Sequence, residues 1–329
     1  MDKQVVISIK SIVVIMLLVA GIYVLYRLGT IIGILLLATL LVVSLEPLVR
    51  KLTKFNVLNK PLSRGIAVII SYLLLIAVLV FVATVGIPPV VVQLEKMLAS
   101  LSSITSKINF GEYVSFSLSD LLPQASKLSS SVLSVTVSVV SNLATMVSLI
   151  ILSLYLSMDW VRIKKQFISL FSDKKQDMVE DTIGEVELSV SHWVKGQLLL
   201  MLVVGAASFV GLQILGVKYP LALGIVSGVL EVVPMLGPVL SAILAAIIAF
   251  ADSPVKGLGV IVLYIIIQQL ENNLLVPKIM QKVSGFSPLV ILIALLIGSE
   301  FFGIVGAIIA VPATVVGAVI LKRVLRSND

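Results

Sequence analysis

The stretch from Leu221 to Phe250 contains thirty mostly apolar residues and is interrupted in its middle. The interruption contains Glu231, Pro234, Gly237 and Pro238. Each apolar arm has about thirteen residues and reaches only about 20 Å as a helix, because an α-helix rises 1.5 Å per residue. Neither arm alone crosses a hydrocarbon layer of about 30 Å. The stretch therefore predicts either a broken, re-entrant hairpin that lines a wet cavity or one long span kinked at Pro234.

The composition places this stretch in a multi-spanning membrane protein. Hydrophobic residues make up 59% of the chain, charged residues 12%, and the mean hydropathy is +1.18. The net charge of +7 indicates topology rather than nucleic acid as a partner, because lysine and arginine accumulate in cytoplasmic loops. The chain has no cysteine, which excludes disulfides, thiolate metal sites and a cysteine nucleophile.

The apolar runs predict an all-α polytopic membrane protein with about six full spans and two broken or re-entrant helical hairpins in an inverted repeat. Residues 1–158 are predicted to be scaffold spans, the first at 11–28, with an external amphipathic region at 89–130 that acts as a gate or a packing arm. Residues 159–193 are predicted to include a cytoplasmic amphipathic helix that starts at Ser172 or Asp173. Its acidic face, from Asp177 to Glu187, is expected to be solvated. Residues 194–329 form the predicted transport region.

The two broken segments resemble each other in order and spacing. Gly224-Ile-Val-Ser-Gly228 precedes Pro234, and Gly303-Ile-Val-Gly306 precedes Pro312. If both segments are re-entrant, the first enters from outside and the second from inside, which is the inverted arrangement of secondary transporters. Under this topology 18 of the 24 lysines and arginines lie inside and 6 outside, with both termini cytoplasmic. Simple spans also satisfy this count, so both interpretations stay open.

Three glutamates lie in apolar segments: Glu231, Glu271 and Glu300. An ionisable group in hydrocarbon costs about 2–3 kcal/mol or more, which makes each of them a candidate functional residue. Gln268 and Asn272 lie near Glu271 on neighbouring helix positions. These side chains can bind a small polar solute or supply oxygen ligands to Na⁺. The alternative is that they only satisfy the backbone of the broken helices.

Enzymatic chemistry has little support in the sequence. The chain has one histidine, His192, so an HExxH metal site cannot form. No Walker phosphate-binding loop occurs, which argues against ATP as a direct energy source. We therefore expect no enzyme activity, no cofactor and no metal centre, and we expect transport to be driven by a gradient.

Three motifs, taken in order, carry a family resemblance. They are Glu231-Val-Val-Pro234-Met-Leu-Gly237-Pro238, Gln269-Leu-Glu271-Asn-Asn-Leu-Leu-Val-Pro277, and Gly298-Ser-Glu300-Phe-Phe-Gly303 continuing to Pro312. In order and spacing they resemble the autoinducer-2 exporter family of bacterial and archaeal membrane transporters. The resemblance implies that this chain's copies of the family motif are Glu231, Pro234, Gly237, Pro238, Glu271, Asn272, Pro277, Glu300, Gly303 and Pro312.

The resemblance also implies a homo-oligomeric secondary transporter, with a pentamer as the family-level expectation. Some members export the quorum signal autoinducer-2, and others are described as Na⁺(Li⁺)/H⁺ antiporters. We therefore expect gradient-driven or facilitated export of a small polar metabolite across the inner (plasma) membrane. A cation/proton antiporter that uses the same glutamates is the alternative, since a buried carboxylate can exchange a proton for Na⁺. A structural membrane scaffold without a solute path is a third hypothesis.

Overall fold

A computed structural model describes residues 28–57, 60–81, 143–234, 236–279 and 287–326, together with isolated positions at 14, 16–18, 21, 23, 84, 88 and 92–93. Most of the predicted first span at 11–28 and most of the predicted amphipathic region at 89–130 lie outside the described residues.

The described residues form nine α-helices, a π-helical turn and one two-stranded ribbon. The helices are α1 Gly29–Thr53, α2 Arg64–Phe81, α3 Leu143–Ile168, α4 Asp173–Ile214, α5 Pro220–Leu230, α6 Leu236–Asp252, α7 Pro254–Leu270, α8 Val276–Ile279 and α9 Pro288–Arg326. The π-helical turn Glu271–Leu275 joins α7 to α8, and the antiparallel strands β1 Asn56–Val57 and β2 Lys60–Pro61 join α1 to α2.

Six described helices are long and apolar enough to cross a membrane, which confirms the predicted all-α polytopic fold. They are Ile31–Thr53, Arg64–Phe81, Thr145–Ile168, Asp173–Ile214, Pro254–Ile279 and Leu289–Arg323. Large apolar side chains cover their outer surfaces, for example Leu73 on α2 and Leu202 and Ile214 on α4. Such an extended apolar surface matches the hydrocarbon of a bilayer. The chain is therefore a multi-pass membrane protein.

The central element is α4, a continuous helix of 42 residues. It is about 63 Å long at 1.5 Å per residue. It begins at Asp173 with Ser172 at the N-cap position, as the sequence predicted. The region 159–193 is divided between the end of α3 and the first half of α4, and α4 continues without a break into residues 194–214 of the predicted transport region.

The helices α5 and α6 fold back on each other, and we call them the first hairpin. Its two ends meet at its base, where Lys218 Nζ lies 2.7 Å from Asp252 Oδ1. In a continuous helix these residues would lie about 50 Å apart. Leu223 on α5 and Ile248 on α6 belong to one buried cluster, so the arms also pack along their length. The broken, re-entrant interpretation of this stretch is thus the one that the structure adopts.

The long helix α9 also folds back, and we call it the second hairpin. Its turn is Gly303, whose φ of 58° and ψ of −138° are not helical and favour glycine. A Cβ atom built on Gly298 would lie 2.5 Å from the carbonyl oxygen of Gly306, which a straight helix would hold well away. Leu295 before the turn and Ala310 after it share a buried cluster. Both predicted broken segments are therefore hairpins.

The two hairpins enter the molecule from opposite ends of α4. The base of the first hairpin at Lys218 follows the C-terminal end of α4. At the base of the second hairpin, Arg323 Nη2 lies 3.2 Å from Asp181 Oδ2, near the N-terminal end of α4. About 50 Å of helix separates Asp181 from Ile214. This arrangement is the predicted inverted repeat.

Cross-linking tests the first hairpin directly, because the chain has no native cysteine. We expect Lys218→Cys combined with Asp252→Cys to cross-link in membranes with a short bis-maleimide, since the two wild-type side chains touch. The matched control is Lys218→Cys with Val239→Cys, which joins the base to the exposed side of α6 near the tip and should not react. Absence of cross-linking in the first pair would contradict the hairpin.

Candidate functional site

The tip of the first hairpin, residues 231–237, places Glu231 in the interior of the protein. Glu231 is the C-cap residue of α5, directly after Leu230, and it is 0% exposed. The tip is tight, because a Cβ atom on Gly237 would overlap the carbonyl oxygen of Leu230. Glycine at 237 therefore lets the second arm turn back closely enough to bury Glu231. Pro234 also lies in this turn, and Pro238 lies in the first turn of α6.

Glu271 approaches the same place from another element. It is the first residue of the π-helical turn after α7, and it is 4% exposed. A π-helical turn widens the helix locally and is frequent at functional sites. Tyr264 Oη lies 2.7 Å from Ser227 Oγ, which fixes α7 against α5. This contact sets the register in which Glu271 meets Glu231.

The carboxyl groups of Glu231 and Glu271 lie close enough to interact directly. Three of their four oxygens, Glu231 Oε1, Glu231 Oε2 and Glu271 Oε2, are buried and have no hydrogen-bond partner within the described part of the chain. Two neighbouring buried carboxylates repel each other strongly in a low dielectric. The pair is consequently suited to hold a proton or a cation between its oxygens.

Gln197 on α4 completes this site, and the sequence analysis did not identify it. Its Nε2 donates to the carbonyl oxygen of Glu231 at 2.5 Å, which holds the end of α5 against α4. Its Oε1 is buried and has no partner among the described residues. The signal that could have found it is an amide side chain in an otherwise apolar span, which is uncommon without a functional or structural reason.

The remaining predicted binding residues lie outside this buried site. Gln268 Nε2 donates to Asn272 Oδ1 at 3.4 Å, and Asn272 is exposed. Glu300 is exposed on the second hairpin, three residues before Gly303. No hydrogen bond or ion pair found among the described residues links Glu300 to Glu231 or Glu271. The structure thus brings together two of the three predicted glutamates.

The other predicted break positions differ in local geometry. Pro277 lies in the short helix α8, directly after the π-helical turn. Gly303 is the turn of the second hairpin. Pro312 lies within the second arm of that hairpin, and the backbone of α9 has non-helical dihedral angles only at Gly303.

A buried ionic network ties α1, α2, α3 and α4 together at the end of the molecule that carries β1 and β2. Glu46 accepts two hydrogen bonds from Arg64, at 3.0 and 2.8 Å, and Arg64 also donates to the carbonyl oxygen of Ser157. Arg50 bridges Glu46 to Glu187. These contacts fix the first three described spans to α4.

The expectation that the acidic face of α4 is solvated was wrong for Glu187. Glu187 is 3% exposed, accepts a hydrogen bond from Trp160 Nε1 at 2.6 Å, and pairs with Lys164 at 2.8 Å. Three donors from α1 and α3 surround its carboxylate, so its burial is compensated. Helix periodicity could not show this, because the partners come from distant parts of the chain.

A smaller cluster of charged side chains links the two ends of the first hairpin at its base. Asp252 lies between Lys218 and Lys256, and Lys256 also donates to the carbonyl oxygen of Gly216 at 2.7 Å. Hydrogen bonds from the two lysines, that of Lys218 above all, lower the pKa of Asp252 to about 2. Near the same base, the Gln93 side chain accepts a hydrogen bond from the backbone N–H of Ala222 at 3.0 Å. These contacts hold the two ends of the hairpin together at its base, while the tip with Glu231 is its buried end.

Comparison with known proteins places this architecture in a family. The sequence model described as "AI-2E family transporter" matches residues 12–326. The "Putative transport protein YueF" of Bacillus subtilis is 27% identical over 314 residues, which cover 88% of this chain and 83% of YueF. The "Putative transport protein YrrI" of the same organism is 38% identical over 144 residues, 44% of this chain and 41% of YrrI.

A further relative is the "Putative permease PerM" of Escherichia coli, which is 30% identical over 195 residues, 54% of each chain. The family match extends from the scaffold spans through both hairpins, so it covers Glu231, Glu271 and Gln197. The chain therefore belongs to the AI-2E transporter family, a family of multi-pass membrane transport proteins and permeases.

Proposed function

We propose that this protein is a secondary transporter, driven without ATP, whose exchange site is the buried pair Glu231 and Glu271. One observation carries the proposal: two carboxyl groups lie side by side at the tip of a broken hairpin, and three of their four oxygens have no partner among the described residues. Isolated buried charge is costly, so these oxygens gain most from a proton, a cation or a polar solute.

We propose first that the protein exports a small polar metabolite, such as autoinducer-2. Hydroxyl groups of such a solute can donate to the free oxygens of Glu231 and Glu271 and to Gln197 Oε1. The inverted hairpins supply the frame, because broken helices in inverted repeats form the binding sites of many secondary transporters. Movement of one hairpin against α4 would then expose the site to one side at a time.

The second candidate is a Na⁺(Li⁺)/H⁺ antiporter at the same site. The specific observation in its favour is that the unpartnered atoms of this site are all oxygens: two on Glu231, one on Glu271 and one on Gln197. Hard cations prefer oxygen ligands. A carboxylate pair that holds either a proton or Na⁺ would exchange the two ions.

We also propose that the chain is an inner (plasma) membrane protein with cytoplasmic termini, that it acts as a homo-oligomer, and that it has no enzymatic activity. The orientation follows from the excess of basic residues at one end of the molecule, including Arg50, Lys51 and Arg64. The exposed amides of Gln269, Asn272 and Asn273 at membrane depth also favour a partner subunit or an aqueous path beside α7.

Reconstitution of the full chain in proteoliposomes tests these proposals. Counterflow of labelled autoinducer-2 that does not depend on ions would support the exporter. Na⁺-dependent dequenching of an internal pH dye would support the antiporter. If neither activity appears while circular dichroism shows an intact helical fold, the protein is a structural scaffold and the proposal is wrong.

A further inference from the structure

A cavity of about 630 Å³ lies between α1, α3, α4 and the second arm of α9, away from the glutamate pair. Its volume falls within the range that holds small ligands. The walls are almost wholly apolar, and they include Leu40, Ile183 and Val316. A polar cargo would gain little here, because such walls offer few hydrogen-bonding groups.

Part of the cavity wall is formed by apolar side chains that are exposed on the protein surface. Three large side chains in its wall are exposed: Phe167, Phe171 and Leu36. The rings of Phe167 and Phe171 pack edge to face with centroids 5.4 Å apart, so this part of the wall is held in place. An apolar cavity loses packing energy while it is empty. In a bilayer, the acyl chains of lipids are the apolar groups available to fill this cavity.

The end of the cavity near the N-terminus of α4 carries a basic residue. Arg323 lines it, and the neighbouring Lys322 is exposed. The counter-ion of Arg323 is Asp181, which is 73% exposed and belongs to a surface ion pair of low stability. Glu187 also borders the cavity, but its carboxylate is already paired with Arg50 and Lys164 and accepts a hydrogen bond from Trp160. The charge available to a ligand is therefore positive.

We propose that this cavity is a binding site for an anionic phospholipid, with one acyl chain between the four helices and the phosphate at Arg323 and Lys322. Arginine binds phosphate through two parallel hydrogen bonds, which a surface carboxylate pair does not prevent. Basic pockets between membrane helices on one side of the bilayer bind anionic headgroups by the same chemistry. The site lies between α1 and α3 on one side and the second hairpin on the other. A bound lipid would therefore stabilise the contact between these scaffold helices and the second hairpin.

The quenching of Trp160 by brominated lipid tests the proposal, because Trp160 lines the cavity and the chain has only one other tryptophan, Trp193. The full-length Trp193→Phe protein is reconstituted in phosphatidylcholine with a small fraction of either brominated phosphatidylglycerol or brominated phosphatidylcholine. We expect the anionic lipid to be enriched about fivefold at Trp160, the equivalent of about 1 kcal/mol for one basic residue at the membrane surface.

Arg323→Gln should remove this preference. Arg162→Gln is the matched control, since Arg162 is exposed on α3 but does not line the cavity, and it should keep the preference. Ala313→Phe, which fills the cavity, should reduce quenching by both lipids. Equal quenching by the two lipids in the Trp193→Phe protein would overturn the proposal. No quenching by either lipid would also overturn it.

Discussion

Glu231→Gln and Glu271→Gln are each expected to reduce transport by about tenfold to a hundredfold, the equivalent of about 1.5–3 kcal/mol for one hydrogen bond to a charged group. The reason is that glutamine keeps the size of the side chain but cannot bind a proton or carry the negative charge that holds a cation. The measurement is the initial rate of counterflow or of pH-dye dequenching in proteoliposomes, whichever activity the wild-type protein shows.

The same substitutions should not unfold the protein, and this separates a functional role from a structural one. Replacing one carboxylate removes the repulsion within the Glu231 and Glu271 pair, so the melting temperature in detergent should stay the same or rise. Glu180→Gln is the matched control, because Glu180 is exposed on α4 and far from the hairpin tip. If both site variants transport at the wild-type rate, the assignment of the exchange site is wrong.

Glu46→Ala is expected to destabilise the protein by about 3–5 kcal/mol, the typical effect of removing one partner of a buried ion pair. Glu46 is fully buried and accepts two hydrogen bonds from Arg64. Its loss leaves the Arg64 guanidinium without a counter-ion beside α1. Arg50 contributes less to the effect, because its side chain is half exposed and water can solvate it.

Denaturant unfolding in detergent micelles, followed by circular dichroism, measures this effect. Glu46→Gln keeps one hydrogen-bond acceptor for Arg64 and should lose less stability than Glu46→Ala. Glu180→Ala controls for loss of a glutamate from an exposed helix position and should change the unfolding free energy by less than about 0.5 kcal/mol. An unfolding midpoint of Glu46→Ala equal to that of the wild-type protein would show that the network does not stabilise the scaffold.

The sequence was sufficient to locate both breaks, because the turns depend on local chemistry, but it left a kinked span open as the alternative to a hairpin. Gly303 adopts a φ of 58°, and Gly237 allows contact with the carbonyl of Leu230, so both breaks follow from residues at the breaks themselves. The same reasoning explains the continuous helix α4. No proline interrupts the chain between Asp173 and Ile214, so the change from charged to apolar composition does not end the helix.

The composition of the site depended on tertiary packing and could not be derived from spacing. Glu231 and Glu271 are forty residues apart in sequence and meet only because α5 and α7 pack in the register that Ser227 and Tyr264 fix. Gln197 joins them from α4. Glu187 is buried for the same reason, since its partners come from α1 and α3.

The central claim is that the hairpin tip opens to water during transport, and the reactivity of a cysteine at Val232, next to Glu231, tests it most directly. Val232→Cys is reacted in membranes with a membrane-impermeant thiol reagent, with and without an imposed solute or Na⁺ gradient. Leu212→Cys, in the buried core behind the hairpin, is the negative control, and Ser253→Cys at the hairpin base is the positive control. The account predicts that Val232→Cys reacts, faster under a gradient, while Leu212→Cys does not. A Val232→Cys protein that stays unreactive under every gradient, while Ser253→Cys reacts, would contradict it.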